Sequence, residues 1–91
     1  MILRRLKNRA AYRRAEADFK LLRAFRPGEK HYGYDLSRAI GMRSGRVYPS
    51  LARLERRGSI TSGWDDGPEP RRRHYVLTAQ GVDENTMKVI P

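Results

Sequence analysis

The stretch from Tyr32 to Gly81 changes its hydrophobic period from helical to alternating, and that change restricts the fold more than any other feature of the chain. It reads YGYDLSRAIGMRSGRVYPSLARLERRGSITSGWDDGPEPRRRHYVLTAQG. Leu36, Ala39 and Ile40 supply the inner face of a short helix over Tyr34–Ile40, and Gly41 suits the left-handed cap that ends such a helix. A turn through Met42 and Arg43 leads to Ser44, the expected N-cap of a longer helix. Val47, Leu51 and Leu54 face inward along it, and Gly58 closes it after Arg57. Pro49 lies just past the first turn, where a missing N–H costs a helical bond, so a loose or late-starting first turn is expected. The period then shortens. Ser59 to Trp64 reads as a strand, Asp65 to Pro70 as turn chemistry, and Arg72 to Thr78 as the return strand. Tyr75 and Leu77 share one face of that strand, His74 and Val76 the other. Helix, turn, helix and hairpin in this order predict a winged helix-turn-helix, mainly α with a small β-hairpin.

Upstream, no Gly or Pro occurs before Pro27. Tyr12, Ala15, Phe19 and Leu22 repeat at helical steps and predict one buried stripe. Leu3, Leu6 and Ala10 repeat on a shifted face. Either one long helix buries two faces, or a separate arm precedes the first core helix. The organisation read from this is a basic helical arm over residues 1–14, the winged domain over 15–81, and a short tail or helix over 82–91. Thr78 is placed to cap that last helix, expected over Gln80 to Lys88.

Composition bears on partners. The chain has 91 residues, enough for one domain, with a formal net charge of +10 and a pI near 10.9. Double-stranded DNA carries one negative charge per roughly 1.7 Å, so clustered arginine gains by releasing counterions. Cysteine is absent, which excludes disulfides and thiolate metal sites. His31 and His74 have no second ligand cluster near them in sequence, so neither metal nor cofactor is expected. No nucleophile triad, Gly-rich phosphate loop or pair of catalytic carboxylates is evident, and an enzyme is not expected. No apolar run approaches a membrane span, and the N-terminus lacks the apolar core of a secretion signal, so a cytoplasmic protein is expected.

Double-stranded DNA is the expected partner. Arg43, Ser44, Arg46 and Ser50 lie at the N-terminal end of the longer helix, the end that meets base edges in helix-turn-helix proteins. Arginine pairs bidentately with guanine, and serine serves a base or a phosphate. Arg46, Ser50, Arg53 and Arg57 share one flank, with Arg56 nearby; Arg53, Arg56 and Arg57 suit phosphate. Arg71, Arg72 and Arg73 follow the hairpin turn and suit a phosphate or a minor groove. Asp65, Asp66 and Glu69 are placed to pair with them in the free protein. Tyr34, Tyr48, Trp64 and Tyr75 either line an aromatic pocket or pack in the core, and Tyr48 is placed to donate its hydroxyl to a phosphate.

The segment Tyr32 to Gly81 also resembles the PadR family of winged-helix transcriptional regulators. The resemblance rests on Tyr32-Gly33-Tyr34-Asp35-Leu36, on Gly45-Arg46-Val47-Tyr48-Pro49-Ser50-Leu51 with Leu54-Glu55, and on Gly58-Ser59-Ile60. It continues through Trp64 and the run Arg73-His74-Tyr75-Val76-Leu77-Thr78 with Gly81. It implies a dimeric repressor that reads an inverted repeat, with the helix around Ser44 to Arg57 in the major groove and the wing beside it. The family tolerates proline at the place of Pro49. Its members continue past the last glycine into a long helix that pairs subunits and sometimes forms a ligand pocket, whereas ten residues follow Gly81 here. The Leu3/Leu6/Ala10 stripe is the expected substitute, pairing subunits or lying along DNA.

The leading expectation is thus a sequence-specific regulator, acting as a repressor. Two others stand beside it: an architectural or excision factor that bends DNA for a mobile element, and a winged helix that docks on another protein. RNA binding is a weaker option, since no exposed stacking platform is evident.

Overall fold

The computed structural model describes residues 2–87, with side chains from Asn8 onward. Six elements follow one another: α1 (Ile2–Arg23), α2 (Gly33–Ile40), α3 (Ser44–Arg57), β1 (Ile60–Trp64), β2 (Arg73–Leu77) and α4 (Ala79–Thr86). This is the winged helix-turn-helix order that the change of period predicts.

α1 is one continuous helix, so the boundary expected between residues 14 and 15 falls inside it. Nothing in that span lacks a helical donor or loosens the backbone, because the first proline is Pro27. The buried stripe of α1 is Ala17, Leu21 and Leu22, with Asp18 among them, and Phe25 just past its end is buried as well. Of the expected stripe only Leu22 is buried; Tyr12, Ala15 and Phe19 face outward. Residues 8–16 are exposed on every side, so the first half of α1 projects beyond the core. Ala10 is among them, and the side chains of Leu3 and Leu6 lie outside the described residues.

The core is completed by Leu36, Met42, Val47, Leu51, Leu54, Ile60, Tyr75 and Leu77. α2 ends at Gly41, whose φ of 64° is the left-handed conformation expected there. α3 starts at Ser44, the residue expected to cap it, so its cap lies one residue earlier. Arg43 is the N-cap, its carbonyl accepting from the Arg46 and Val47 amides, and Ser44 is the first helical residue. Pro49 lies within an unbroken helix. The bond it cannot make would have gone to the carbonyl of Gly45, which is exposed and open to solvent donors, so the cost is small.

β1 and β2 pair antiparallel, from Ile60 opposite Leu77 to Trp64 opposite Arg73. A further bond from the Asp65 amide to the Arg72 carbonyl extends the hairpin toward its tip. His31 forms a one-residue bridge on the outer side of β2, exchanging two backbone bonds with Tyr75. Its ring Nε2 accepts from the Arg26 amide at 3.0 Å. α4 starts at Thr78, whose hydroxyl accepts from the Gly81 amide and donates to the Gly58 carbonyl. Asn85 then donates to the carbonyls of Leu22 and Phe25, satisfying the end of α1. α4 therefore packs on α1 and crosses the boundary expected between residues 81 and 82. Gly81 is required at this junction: a Cβ there would lie 1.9 Å from the Ser59 carbonyl oxygen.

Candidate nucleic-acid interface

Helical geometry divides α3 into four strips. Val47, Ser50, Leu51 and Leu54 are buried. Gly45, Pro49, Ala52 and Arg56, spaced by four, three and four residues, form the strip that faces solvent, and all are exposed. Arg46, Arg53 and Arg57 form a flank turned toward α1 and α4, and Tyr48 and Glu55 form the opposite flank, toward the wing.

Two of the expected contact residues are corrected by this arrangement. Ser50 is fully buried and donates its hydroxyl to Asp18 of α1, so it does not face a groove. Arg53 is committed to the same carboxylate, with Nε at 2.9 Å and a terminal nitrogen at 2.8 Å. That pair raises the guanidinium pKa above its ordinary value, chiefly through the hydrogen bond to Asp18. Both misplacements have one cause. The shared flank of Arg46, Ser50, Arg53 and Arg57 is the side that packs on α1, and Asp18 is a buried acid on that helix. Arg57 behaves similarly at the far end, bonding Ser59 and pairing with Glu84 of α4 at 3.1 Å.

Arg43, Ser44, Arg46 and Tyr48 are exposed, and Arg43 and Arg46 make no ion pair among the described residues. Arg56, expected from the sequence to suit phosphate, is exposed on the outward strip and makes no ion pair among the described residues.

The wing arginines are all exposed, and each has one carboxylate partner. Arg71 pairs with Glu69 at 3.3 Å, Arg72 with Asp35 of α2 at 3.3 Å, and Arg73 with Glu55 of α3 at 3.7 Å. Only Glu69 comes from the acids expected to pair with them. Asp65 is engaged elsewhere: His74 Nδ1 lies 2.8 Å from one carboxylate oxygen, and the Tyr32 hydroxyl donates to the other at 2.8 Å. An ionised carboxylate only accepts, so His74 Nδ1 carries the proton. These two bonds hold the Asp65 carboxyl below its ordinary range, and the same contact raises the Tyr32 phenol.

Arg72, just before β2, turns to α2, and Arg73, its first residue, turns to α3. The Arg72 guanidinium stacks 3.7 Å from the Tyr32 ring centre. Tyr32, Tyr34 and Tyr48 join Arg72, Arg73 and Tyr75 around a hollow between α2, α3 and the wing. Of the four aromatics weighed from sequence, Tyr75 is buried, whereas Tyr34, Tyr48 and Trp64 are exposed. Trp64 stands apart from the hollow, near Arg73. Gly33 makes the hollow possible, since a Cβ there would lie 2.6 Å from the Tyr48 ring.

A second hollow lies on the other side of α3, between it and α1. Arg9, Arg13, Arg14 and Lys20 line it from α1, and Gly45, Arg46 and Pro49 from α3. Glu16 is its only acid besides the internally bonded Asp18 nearby. The outward strip of α3 thus stands between two cation-lined hollows. Among the described residues there is no group of three or more potential metal ligands, and no helix is long and apolar enough to cross a membrane.

Residues 21–86 match the family model described as the transcriptional regulator PadR-like family. A PadR-like transcription factor from Bacteroides fragilis shares the fold with a TM-score of 0.74 and 20% identity, over 85% of this chain and 80% of that one. A transcriptional regulator from Clostridium thermocellum aligns with a TM-score of 0.64 and 27% identity, over 82% of this chain and 78% of that one. PadR of Bacillus subtilis, solved in complex with operator DNA, aligns with a TM-score of 0.65 and 23% identity. That alignment covers 81% of this chain and 49% of the Bacillus subtilis protein. Comparison with curated proteins finds no match.

Proposed function

The chain belongs to the PadR-like family of transcriptional regulators, and from that premise we propose that it binds double-stranded DNA sequence-specifically and represses transcription. One observation carries the proposal: the outward strip of α3 is narrow and small-residued, and cations stand on both sides of it. A major groove is about 12 Å wide and is bounded by a phosphate strand on each side. Gly45, Pro49 and Ala52 allow a close approach to the groove floor, where Ala52 suits a thymine methyl. Arg43, Ser44 and Arg46 enter first and meet base edges. Arg56 and the Tyr48 hydroxyl take phosphates, and Arg71, Arg72 and Arg73 serve the wing by exchanging internal carboxylates for DNA. Occupation of a promoter in this way excludes polymerase sterically, so repression needs no further apparatus.

A reader of an inverted repeat acts as a homodimer, because operator symmetry mirrors protein symmetry. The exposed Tyr12, Ala15 and Phe19 lie on the side of α1 away from its basic hollow and offer a face for such pairing. Selection of bound sites from a random duplex pool at physiological salt tests the whole reading. An enriched inverted repeat supports it. Recovery of unrelated sequences with equal affinity overturns it.

A further inference from the structure

The basic half of α1 projects beyond the core, yet its cations are not spread around the helix. Arg9, Arg13 and Lys20 lie at four- and seven-residue steps, and with Arg14 they line the hollow that Arg46 closes from α3. Among the described residues none of these five cations has an ion-pair partner, in contrast to Arg53, Arg57 and the three wing arginines. Glu16, which also lines the hollow, is one acid against five cations, and Asp18 is already bonded to Ser50 and Arg53. Like charges held this close repel one another unless a polyanion or counterions lie among them.

We propose that this α1–α3 hollow is a second phosphate-binding track: it holds the DNA strand on the side of the major groove opposite the wing, using Arg9, Arg13, Arg14 and Lys20 of α1, beside Arg46 at the base edges. The inference rests on α3 entering a major groove and adds the strand that α1 grips. It gives α1 two distinct faces, one cationic and turned to DNA, the other bearing Tyr12, Ala15 and Phe19.

The test compares two variants of equal net charge. Arg9→Gln with Arg13→Gln removes two cations from the hollow. Arg23→Gln with Arg26→Gln removes two at and just past the C-terminal end of α1, outside the hollow. Glutamine preserves helix propensity at these exposed positions, and circular dichroism checks that both variants stay folded. The probe is a mixed-sequence duplex about three helical turns long, titrated over a range of salt concentrations. The Arg9/Arg13 pair is expected to flatten the dependence of log affinity on log salt by about two, one per lost phosphate contact, while the Arg23/Arg26 pair leaves it close to the parent value. Equal flattening by both pairs overturns the track, since it reports only the overall field. An unchanged slope in both overturns it as well, as does a loss of self-association by the Arg9/Arg13 pair without a change in slope. Either result leaves the site selection unaffected, so failure of this inference is distinct from failure of sequence-specific binding.

Discussion

Asp18 decides what two side chains of α3 are able to do. Its carboxylate takes the Ser50 hydroxyl and the Arg53 guanidinium together, and Ser50 is sealed from solvent. Ser50→Ala removes one of the hydrogen bonds to a buried carboxylate that Arg53 still holds, so it is expected to lower folding stability by about 1–2 kcal/mol in a denaturant titration. Its affinity for duplex DNA should stay within about twofold of the parent, less than a lost base contact would cost. A stable variant with strongly weakened DNA binding would contradict the buried role. Asp65 acts similarly at the wing. Its pKa is lowered by bonds from His74 and Tyr32, so its contribution to stability is present above the unfolded value of about 3.9 and is lost as pH falls through the lower folded value. The Tyr32 phenol is raised, so its part is present below about 10 and is lost as pH rises through the folded value. Tyr32→Phe should therefore move the Asp65 titration midpoint upward, read from the carboxyl carbon by NMR. An unchanged midpoint would show that the hydroxyl does not hold the carboxylate.

The wing and its neighbours form a unit tied by long-range polar contacts. Arg72 connects β2 to Asp35 at the start of α2, and Arg73 connects it to Glu55 on α3. These exposed pairs are weak, so phosphate competes with them readily. Asp35→Asn frees Arg72 and is expected to raise affinity for mixed-sequence DNA about two- to fivefold, the order of one exposed ion pair. Asp66→Asn changes the net charge equally but touches no ion pair among the described residues, and it should give a smaller gain. Equal gains would mean that Asp35 acts through its charge alone. The elements themselves were legible because their signals are local. The change of period from Leu36–Leu54 to Tyr75–Leu77, Gly41 and Gly58 at helix ends, and Thr78 before α4 all act within a few residues. The cation partners were not legible, because Asp18, Asp35 and Glu84 come from elements distant in sequence. The misread stripe of α1 has a similar origin: periodicity shows that a helix has faces but not which face meets α3, and Tyr12 and Phe19 look as apolar as Leu21. Arg56 was recognisable as cationic, but its place on the outward strip depended on knowing that Arg46 and Arg53 turn toward α1.

Across the molecule, charge is partitioned between cations that hold the fold and cations left free. Arg53 and Arg57 fasten α3 to α1 and α4, whereas Arg43, Arg46 and Arg56 on and beside the outward strip have no carboxylate among the described residues. With a net charge of +10, the internal pairs neutralise only part of the basic surface. The central claim is that Gly45, Pro49 and Ala52 form the strip that lies against bases. The absence of cysteine from the sequence makes this directly testable, since a single thiol can be introduced without competition. Cysteine is placed at the exposed Ala52 on α3 or, separately, at the exposed Asp83 on α4. Each variant is then offered a selected duplex carrying a thiol tethered to a base in the major groove. Ala52→Cys should form the protein–DNA disulfide and Asp83→Cys should not. Efficient crosslinking through Asp83→Cys, with none through Ala52→Cys, would put a different face of the molecule on DNA and contradict the account.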